Sequence, residues 1–281
     1  MHGPDSESYL QAMVSNDVEA LGPGEACEAL LLTAKARVIA PLVVLRRGAE
    51  DFLLLTEQGL GDRVQATLLR SRFAKRCEIE LERHVSAIVL GAADGIPTAD
   101  YGVAAAEVLD ADLEQTIADD ELELLRIRAG TPRFGREIDD RVLPAEAGLE
   151  ARAIDFAKGC YPGQEPVARQ HYRGRVNRAL RVLRISGGEP PEYDAELTYE
   201  GRVVGRVTSA ARDGDLVSCL RSRARDASVR TSLTPGMRDV ARRPSRPAKR
   251  EERPLSRREA GSRSRVARAA RRSSGRSRPG S

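Results

Sequence analysis

The chain has 281 residues, 41% hydrophobic and 31% charged, with a formal net charge of +4, which allows one large domain or two modest ones around a buried core. Aromatic residues make up 4% and Trp is absent, which disfavours a base-stacking platform for single-stranded nucleic acid. The four cysteines stand singly and no window approaches the ~20 apolar residues of a membrane span, so we expect no structural zinc site and a cytoplasmic protein with reduced thiols.

The N-terminal third of the chain predicts two helices and three strands. Asp5 can cap a helix over 6–14, whose apolar face comes from Tyr9, Leu10 and Met13. Three apolar runs, separated by turn-forming and charged residues, then predict adjacent strands. The strands are predicted at 29–33, 38–45 and 52–56, and the second helix at 60–73.

The middle of the chain alternates groups of strands with single helices. Acids at its start and arginines at its end predict a helix over 119–128, with Leu122, Leu125 and Ile127 facing inward. The other predictions are strands at 77–81, 87–90 and 103–109 and a helix over 146–157. Because strict βαβ repetition is lacking, this order favours an α+β fold. The sequence contains no glycine-rich nucleotide-binding loop.

Charge divides the chain near residue 217. Residues 218–281 contain 20 Lys and Arg against five acids, a net charge of +15, so the first 217 residues carry −11. The strand pattern at 197–207 starts a hairpin whose apolar continuation is not evident after Val217, which predicts an incomplete C-terminal β domain over 179–217. Residues 218–281 are rich in Arg and Ser without apolar periodicity and are predicted to be a disordered tail.

The basic tail allows two interpretations. It can be an electrostatic arm for nucleic acid or anionic lipid. It can equally be a solvated extension with no selected role, such as out-of-frame translation after a lost final strand. A nucleic-acid partner is therefore expected only through 218–281, and no membrane partner is expected.

The run from Lys158 to Glu165 holds the candidate functional group. Its two glycines permit tight backbone geometry, and Pro162 suits the first turn of a helix. Cys160 is then expected just ahead of a helix N-terminus and beside the Lys158 ammonium, and both neighbours favour a thiolate. A lone cysteine is more often a buried structural residue, so the surrounding residues must decide between the two roles.

A resemblance to the YgfZ family of folate-binding proteins is carried by Phe156-Ala157-Lys158-Gly159-Cys160-Tyr161-Pro162-Gly163-Gln164-Glu165, with Arg173-Gly174 trailing. Similar stretches upstream are Ser15-Asn16-Asp17-Val18 and Leu143-Pro144-Ala145-Glu146. The family is related to the glycine-cleavage T-protein, an aminomethyltransferase, and includes members that act in iron–sulfur cluster maturation. The likeness covers most of residues 3–217.

The resemblance implies an α+β fold with antiparallel sheets and packed helices around a central cavity for tetrahydrofolate or another folate, with the folate-binding domain over 1–178. It implies that Cys160 is the functional thiol, accompanied by Lys158, and that Glu146 binds the pterin ring, to which a carboxylate can accept two parallel N–H bonds. The remaining cofactor-binding candidates that it implies are Tyr161, Gln164, Glu165, Arg169, Arg173 and Arg175. One cysteine cannot hold an iron–sulfur cluster, so no metal site is expected.

Simpler interpretations of these candidates stay open. Glu146 can be an acid of a first helical turn, favoured by the helix dipole. The arginines can meet the glutamate carboxylates of folate or an acidic partner, or they can form a solvated basic face.

Three departures from the family pattern bear on function. Where aminomethyltransferases place catalytic acids, this chain has Ile39-Ala40-Pro41-Leu42, which supplies no general base. Ala36 replaces a usual glycine, and the chain starts inside the first strand of the family fold, so the fold is expected to be truncated at both ends. We expect an accessory protein, not an enzyme, that serves iron–sulfur proteins or assembly factors and, through them, tRNA modification. The alternatives are a folate-dependent aminomethyl or one-carbon transferase and a nucleic-acid-binding module that acts through the tail.

Overall fold

The computed structural model describes residues 1–91, 94–174, 176, 178–186, 188–199, 201–214, 216–224 and 238–239. Within these ranges the chain forms six helices and eleven strands, which are arranged in three sheets with antiparallel pairing throughout. The predicted α+β class is therefore confirmed. None of the helices in this part of the chain is long and apolar enough to span a bilayer.

The first sheet is a three-stranded meander with helices on both faces. Its strands are β1 (Ala26–Leu32), β2 (Val38–Arg46) and β3 (Phe52–Leu55), and helices α1 (Ser6–Met13) and α2 (Gly61–Ser71) cover one face. Side chains alternate along a strand, so Ala29 and Leu31 enter the core under these helices while Leu30 and Leu32 enter a second core on the opposite face. The unbroken apolar run in β1 thus reflects burial on both faces.

The segment after α2 departs from the predicted strand at 77–81. Only Glu78 in that range takes part in β pairing, through a bridge to His2. Side chains of α2 and of the residue that follows it bind the neighbouring carbonyls, because Arg72 donates to Cys77 O at 2.9 Å and Gln65 to Ile79 O at 2.9 Å. These carbonyls therefore have partners outside a sheet ladder.

The second sheet contains three strands in the order β4-β6-β5. They are β4 (Ser86–Leu90), β5 (Ile96–Thr98) and β6 (Ala105–Leu109). Just before β4, His84 Nδ1 lies 2.6 Å from a carboxylate oxygen of Asp110, which follows β6. This pairing raises the pKa of His84.

Helix α3 (Asp119–Ala129) ends at Gly130, which adopts a left-handed φ of 77°. Ile127 is fully buried as predicted, whereas Leu122 and Leu125 are half-buried. The residue beside Ile127, Arg126, is unexpectedly buried. Helix α3 packs against the third sheet.

A buried polar network joins α3 to the third sheet. The guanidinium of Arg126 donates to Glu123, Ser209, Glu137 and the carbonyl of Thr131, at distances between 2.5 and 3.2 Å. The Glu137 side chain is fully buried and also accepts a hydrogen bond from Ser209 at 2.6 Å. Two buried charges are tolerated here because each has several partners.

The predicted helix over 146–157 is wrong in extent. Gly148, with a left-handed φ of 76°, separates helix α4 (Pro144–Ala147) from helix α5 (Glu150–Ala153). After a loop, helix α6 (Gln164–Arg173) follows. Ala147, Ala153 and Val167 of these three helices lie in the second core, against the face of β1 opposite α1 and α2.

The third sheet has five strands in the order β11-β7-β10-β9-β8. They are β7 (Arg178–Ser186), β8 (Glu196–Tyr199), β9 (Arg202–Asp213), β10 (Leu216–Ala224) and β11 (Arg238–Asp239). Leu183, Leu197 and Val207 form its core.

The predicted break after Val217 falls inside a strand. Strand β10 pairs with both β7 and β9, and Ser218 lies opposite Arg184 on one side and Ala211 on the other. The expectation that the second strand of the hairpin is missing is therefore wrong. Strand β10 has a weak apolar pattern, but β7 and β9 supply hydrogen-bond partners along both of its edges. The remainder of the predicted tail, apart from Arg238–Asp239, lies outside the described residues. The predicted domain boundary at residue 178 stays a prediction.

Candidate functional site

The loop that carries the cysteine motif, residues 154–163, is fastened to the end of α1. The Asp155 amide donates to Ser15 O at 3.0 Å, and the Asp155 carboxylate accepts from the amide of Ala157 at 2.6 Å. Ser15 is fully buried, donates through its hydroxyl to Ala153 O at 2.6 Å, and accepts from the amide of Leu30 at 2.8 Å. The loop is therefore held by the residues that follow α1 and by β1.

Lys158 binds the carboxyl end of α1. Its ammonium donates to the carbonyls of Gln11, Val14 and Asn16 at 2.7, 2.6 and 2.8 Å and lies 5.4 Å from the ring centroid of Tyr161. The residue is 8% exposed, and burial lowers its pKa to about 8. Three carbonyls use the three hydrogens of an ammonium. The hydrogen bonds of this ammonium therefore go to backbone carbonyls and not to the Cys160 thiol, beside which the ammonium was expected.

Gly163 is required by a close approach of two backbones. It adopts a φ of 85°, and a Cβ placed there would lie 2.6 Å from Thr33 O and 3.0 Å from the Cα of Ala36. Ala36 itself is fully buried with a left-handed φ of 58°, a conformation that favours glycine. Helix α6 begins after Gly163, at Gln164, and not at Pro162 as predicted.

Cys160 is exposed, whereas its neighbour Tyr161 is buried in the second core. The other thiols whose surroundings are described are enclosed: Cys77 is buried and Cys27 is half-buried. Burial raises the pKa of Cys77, and it raises the pKa of Cys27 to about 11. Cys160 is thus the most exposed of these three thiols.

The remaining candidates have ordinary structural partners or lie on the surface. The Glu146 carboxylate accepts from the amide of Leu143 at 3.0 Å and so caps the start of its own helix. Glu165 and Arg169 form an exposed ion pair at 2.7 Å along one side of α6. Gln164 is half-buried, Arg173 is exposed, and Arg175 lies outside the described residues.

A cleft of about 180 Å³ lies next to this loop and was not predicted from the sequence. Its lining consists of Asn16, Ala26, Cys27, Glu28, Val43, Pro97 and Arg152. Arg152 pairs with both Glu28 and Asp100, and the Asn16 amide donates to the carbonyl of Glu28 at 2.7 Å. None of the residues predicted to bind a cofactor lines this cleft.

The cleft is connected to the motif loop through Asn16. Its carbonyl accepts from Lys158, while its side-chain amide contacts the carbonyls of Glu28 and Arg152. Asn16 belongs to a stretch of family likeness, but nothing in the spacing of Glu28 and Arg152 pointed to a shared site. In the part of the chain that the structure describes, no group of three or more His, Cys, Asp or Glu side chains is arranged to hold a metal ion.

No family model matches the chain. It is 27% identical to an uncharacterized protein of Haemophilus influenzae, over 77% of this chain and 82% of that protein. It is 27% identical to the tRNA-modifying protein YgfZ of Serratia proteamaculans, over 76% of this chain and 78% of the relative. The YgfZ of Klebsiella pneumoniae is 28% identical, over 76% and 79% of the two chains. The chain is thus similar to YgfZ proteins over about three quarters of its length.

The fold comparison agrees with this relationship. The crystal structure of the glycine cleavage system aminomethyltransferase T from Bartonella henselae superposes with a TM-score of 0.68, covering 79% of this chain and 74% of that one. At 17% identity the match establishes the shared fold alone. The expected YgfZ and T-protein likeness is thereby confirmed.

The stretch that departs from aminomethyltransferases lies in the middle of the first sheet. Ala40 and Leu42 in β2 are buried, and Pro41 is half-buried with its carbonyl accepting from the Thr56 hydroxyl at 2.8 Å. This stretch therefore offers a substrate no carboxylate.

Proposed function

We propose that this protein is a cytoplasmic, folate-binding accessory protein of the YgfZ type, which supports iron–sulfur enzymes and, through them, tRNA modification. The observation that carries the proposal is an exposed Cys160 on a loop that Lys158, Ser15 and Gly163 hold to the body of the fold. Proteins named tRNA-modifying protein YgfZ are similar in sequence to this chain over three quarters of its length. A rigid backbone that presents a reachable thiol suits transient chemistry with a partner.

Cys160 would act through redox or transient ligand chemistry, since one thiolate cannot retain a cluster. Replacing Cys160 by Ala should abolish support of iron–sulfur enzymes in a complementation assay and leave the melting temperature unchanged, because the side chain is exposed. Cys77→Ala removes a buried thiol and serves as the matched control, which should still complement. Full complementation by the Cys160 variant would remove any chemical role for the thiol.

Folate binding is proposed because the fold is that of an aminomethyltransferase of the glycine cleavage system. Glu146 would accept N–H bonds from the pterin through the oxygen not used in its helix cap, and Arg169, Arg173 and Arg175 would meet the glutamate tail. The cleft of about 180 Å³ beside Arg152 is an alternative place for the pterin. It is smaller than the ~300 Å³ of a typical ligand site, so it would hold one ring system only. In the proposed site at Glu146, the side chains of Tyr161, Gln164 and Glu165 would form the wall.

Thermal unfolding with tetrahydrofolate tests folate binding. At about 100 times Kd, the ligand should stabilise the protein by about 2.7 kcal/mol, which raises Tm by roughly 5–11 °C. An unchanged Tm at saturating tetrahydrofolate would refute folate binding. In Glu146→Gln the shift should largely vanish, whereas Arg152→Gln should retain it; the reverse pattern would place the pterin in the cleft instead.

A folate-dependent one-carbon transferase is the second candidate, and the shared fold favours it. Because the stretch around Ala40 lacks a general base, we expect no turnover of an aminomethyl donor with tetrahydrofolate. Steady formation of methylenetetrahydrofolate by the purified protein, lost in Cys160→Ala, would establish the enzyme instead.

A further inference from the structure

One edge of the third sheet carries arginines that have no acidic partners. Arg178, Arg181 and Arg184 of β7 are all exposed. Among the described residues none of the three has a carboxylate within ion-pairing distance, and Arg181 donates to the carbonyl of Leu180. The 15 residues from Tyr172 to Ser186 include five arginines and no Asp or Glu.

Two arginines elsewhere in the same sheet are paired with acids. On β9, Arg206 binds Asp194 at 2.8 Å and Glu196 at 2.5 Å, and Arg212 binds Glu189 at 2.7 Å. Of the three exposed arginines of β9, Arg206 and Arg212 therefore lie against carboxylates, whereas Arg202 does not lie against any in the described part of the chain. The arginines of β7 are different, so their charge is available to an external anion.

The strand pairing concentrates this charge. Strand β10 contains Arg221 and Arg223 without an acid, and the register places Arg221 directly opposite Arg181. Strand β11 pairs only with Leu183 and Arg184, so the described part of the chain leaves the edge of β7 from 178 to 182 without a neighbouring strand.

We propose that the β7 segment from Arg178 to Arg184, whose outer edge is open from 178 to 182 in the described part of the chain, is a binding surface for the phosphate backbone of RNA. Arginines three residues apart on a strand are about 10 Å apart and alternate between its two faces, which suits a row of discrete phosphates along the edge rather than one small anion. Tyr172, at the end of α6, is 79% exposed and provides one stacking contact for an unpaired base. This surface is part of the folded body and is distinct from the basic tail.

Two alternative roles of these arginines lead to different experimental outcomes. Charged residues on a strand edge also prevent edge-to-edge aggregation, and that role requires no RNA affinity. An acidic protein would be attracted by the positive charge but would not use the Tyr172 ring. Competition and substitution experiments therefore distinguish RNA binding from both roles.

The test measures binding of the full chain to fluorescein-labelled tRNA by anisotropy between about 50 and 200 mM KCl. Replacing Arg178, Arg181 and Arg184 together by Gln should weaken binding at least tenfold and make the slope of log K against log salt shallower by about 2. The control replaces Arg202, Arg206 and Arg212 by Gln, which removes the same charge from the same sheet, and should weaken binding less than twofold. Both variants must retain the melting transition of the parent chain.

Tyr172→Ala should weaken tRNA binding about fivefold without changing the salt slope. Equal losses in the two triple variants would mean diffuse attraction by total charge, and no loss in either would mean that the tail alone binds RNA. Either result overturns the proposal. Competition by polyglutamate as strong as that by tRNA at equal charge would overturn it in favour of an acidic protein partner.

Discussion

Replacement of Lys158 by Met separates an anchoring role of the ammonium from a chemical one. The change keeps the apolar stem of the side chain but removes three hydrogen bonds of 2.6–2.8 Å to the end of α1. Each buried carbonyl left without a partner costs about 1–3 kcal/mol, partly offset because the buried charge disappears. We expect the free energy of unfolding to fall by about 3 kcal/mol, and Tm by roughly 6–12 °C.

The pH dependence of this effect follows from the pKa of Lys158. Burial lowers that pKa to about 8 in the folded protein, whereas an unfolded chain has the ordinary lysine value of about 10.4. Between these values the unfolded state binds more protons, so stability from this group rises with pH. The advantage of the parent protein over Lys158→Met should therefore grow as pH increases from about 8 to about 10.4.

Urea unfolding followed by circular dichroism measures both the loss of unfolding free energy in Lys158→Met and its dependence on pH. Lys75→Met is the matched control, because Lys75 is exposed and makes one hydrogen bond, of 3.3 Å, to Ser8 of the same helix α1; its effect should stay below about 0.5 kcal/mol. If the Lys158 variant is as stable as the parent but cannot support iron–sulfur enzymes, the anchoring role is refuted. The ammonium would then act in the chemistry of the Cys160 thiol.

Three further predictions concern the body of the fold. Arg126→Leu should cost about 3–5 kcal/mol because it leaves a buried carboxylate unpaired. Arg212→Leu, which removes an exposed ion pair with Glu189, should cost less than about 1 kcal/mol; similar losses would contradict the network. Gly163→Ala should cost at least ~2 kcal/mol, since it combines positive φ with a backbone clash, whereas Gly159→Ala, which faces open space, should be close to neutral in the same urea assay. His84→Gln should be less stable than the parent below about pH 6.5, and the difference should fade as pH rises through the raised pKa of His84; a difference independent of pH would exclude the charged pair.

The first sheet and the motif loop were the most predictable parts of the molecule. Three apolar runs predicted strands close to their observed bounds, because β1 is buried on both faces and tolerates no polar position over Ala29–Leu32. The requirement for glycine at 163 is local in one part, since the backbone there is left-handed, and tertiary in the other, since Thr33 and Ala36 approach it closely. Prediction was weaker for 77–81, where side chains in and just after α2 take the carbonyls that a strand would use.

The order of residues along the chain was enough to establish the YgfZ likeness, the α+β class and the loop that presents Cys160, because motif spacing and apolar periodicity are properties of neighbouring residues. The partner of each charged group, in contrast, emerged only from the packed fold. Lys158 binds carbonyls of residues more than 140 positions away, and Arg126 reaches Ser209 across 83 positions. Such pairings depend on which elements pack together, and a charged side chain carries no local pattern that names its distant partner. Strand β10 was missed for the same reason, since its hydrogen bonds come from β7 and β9 on either side.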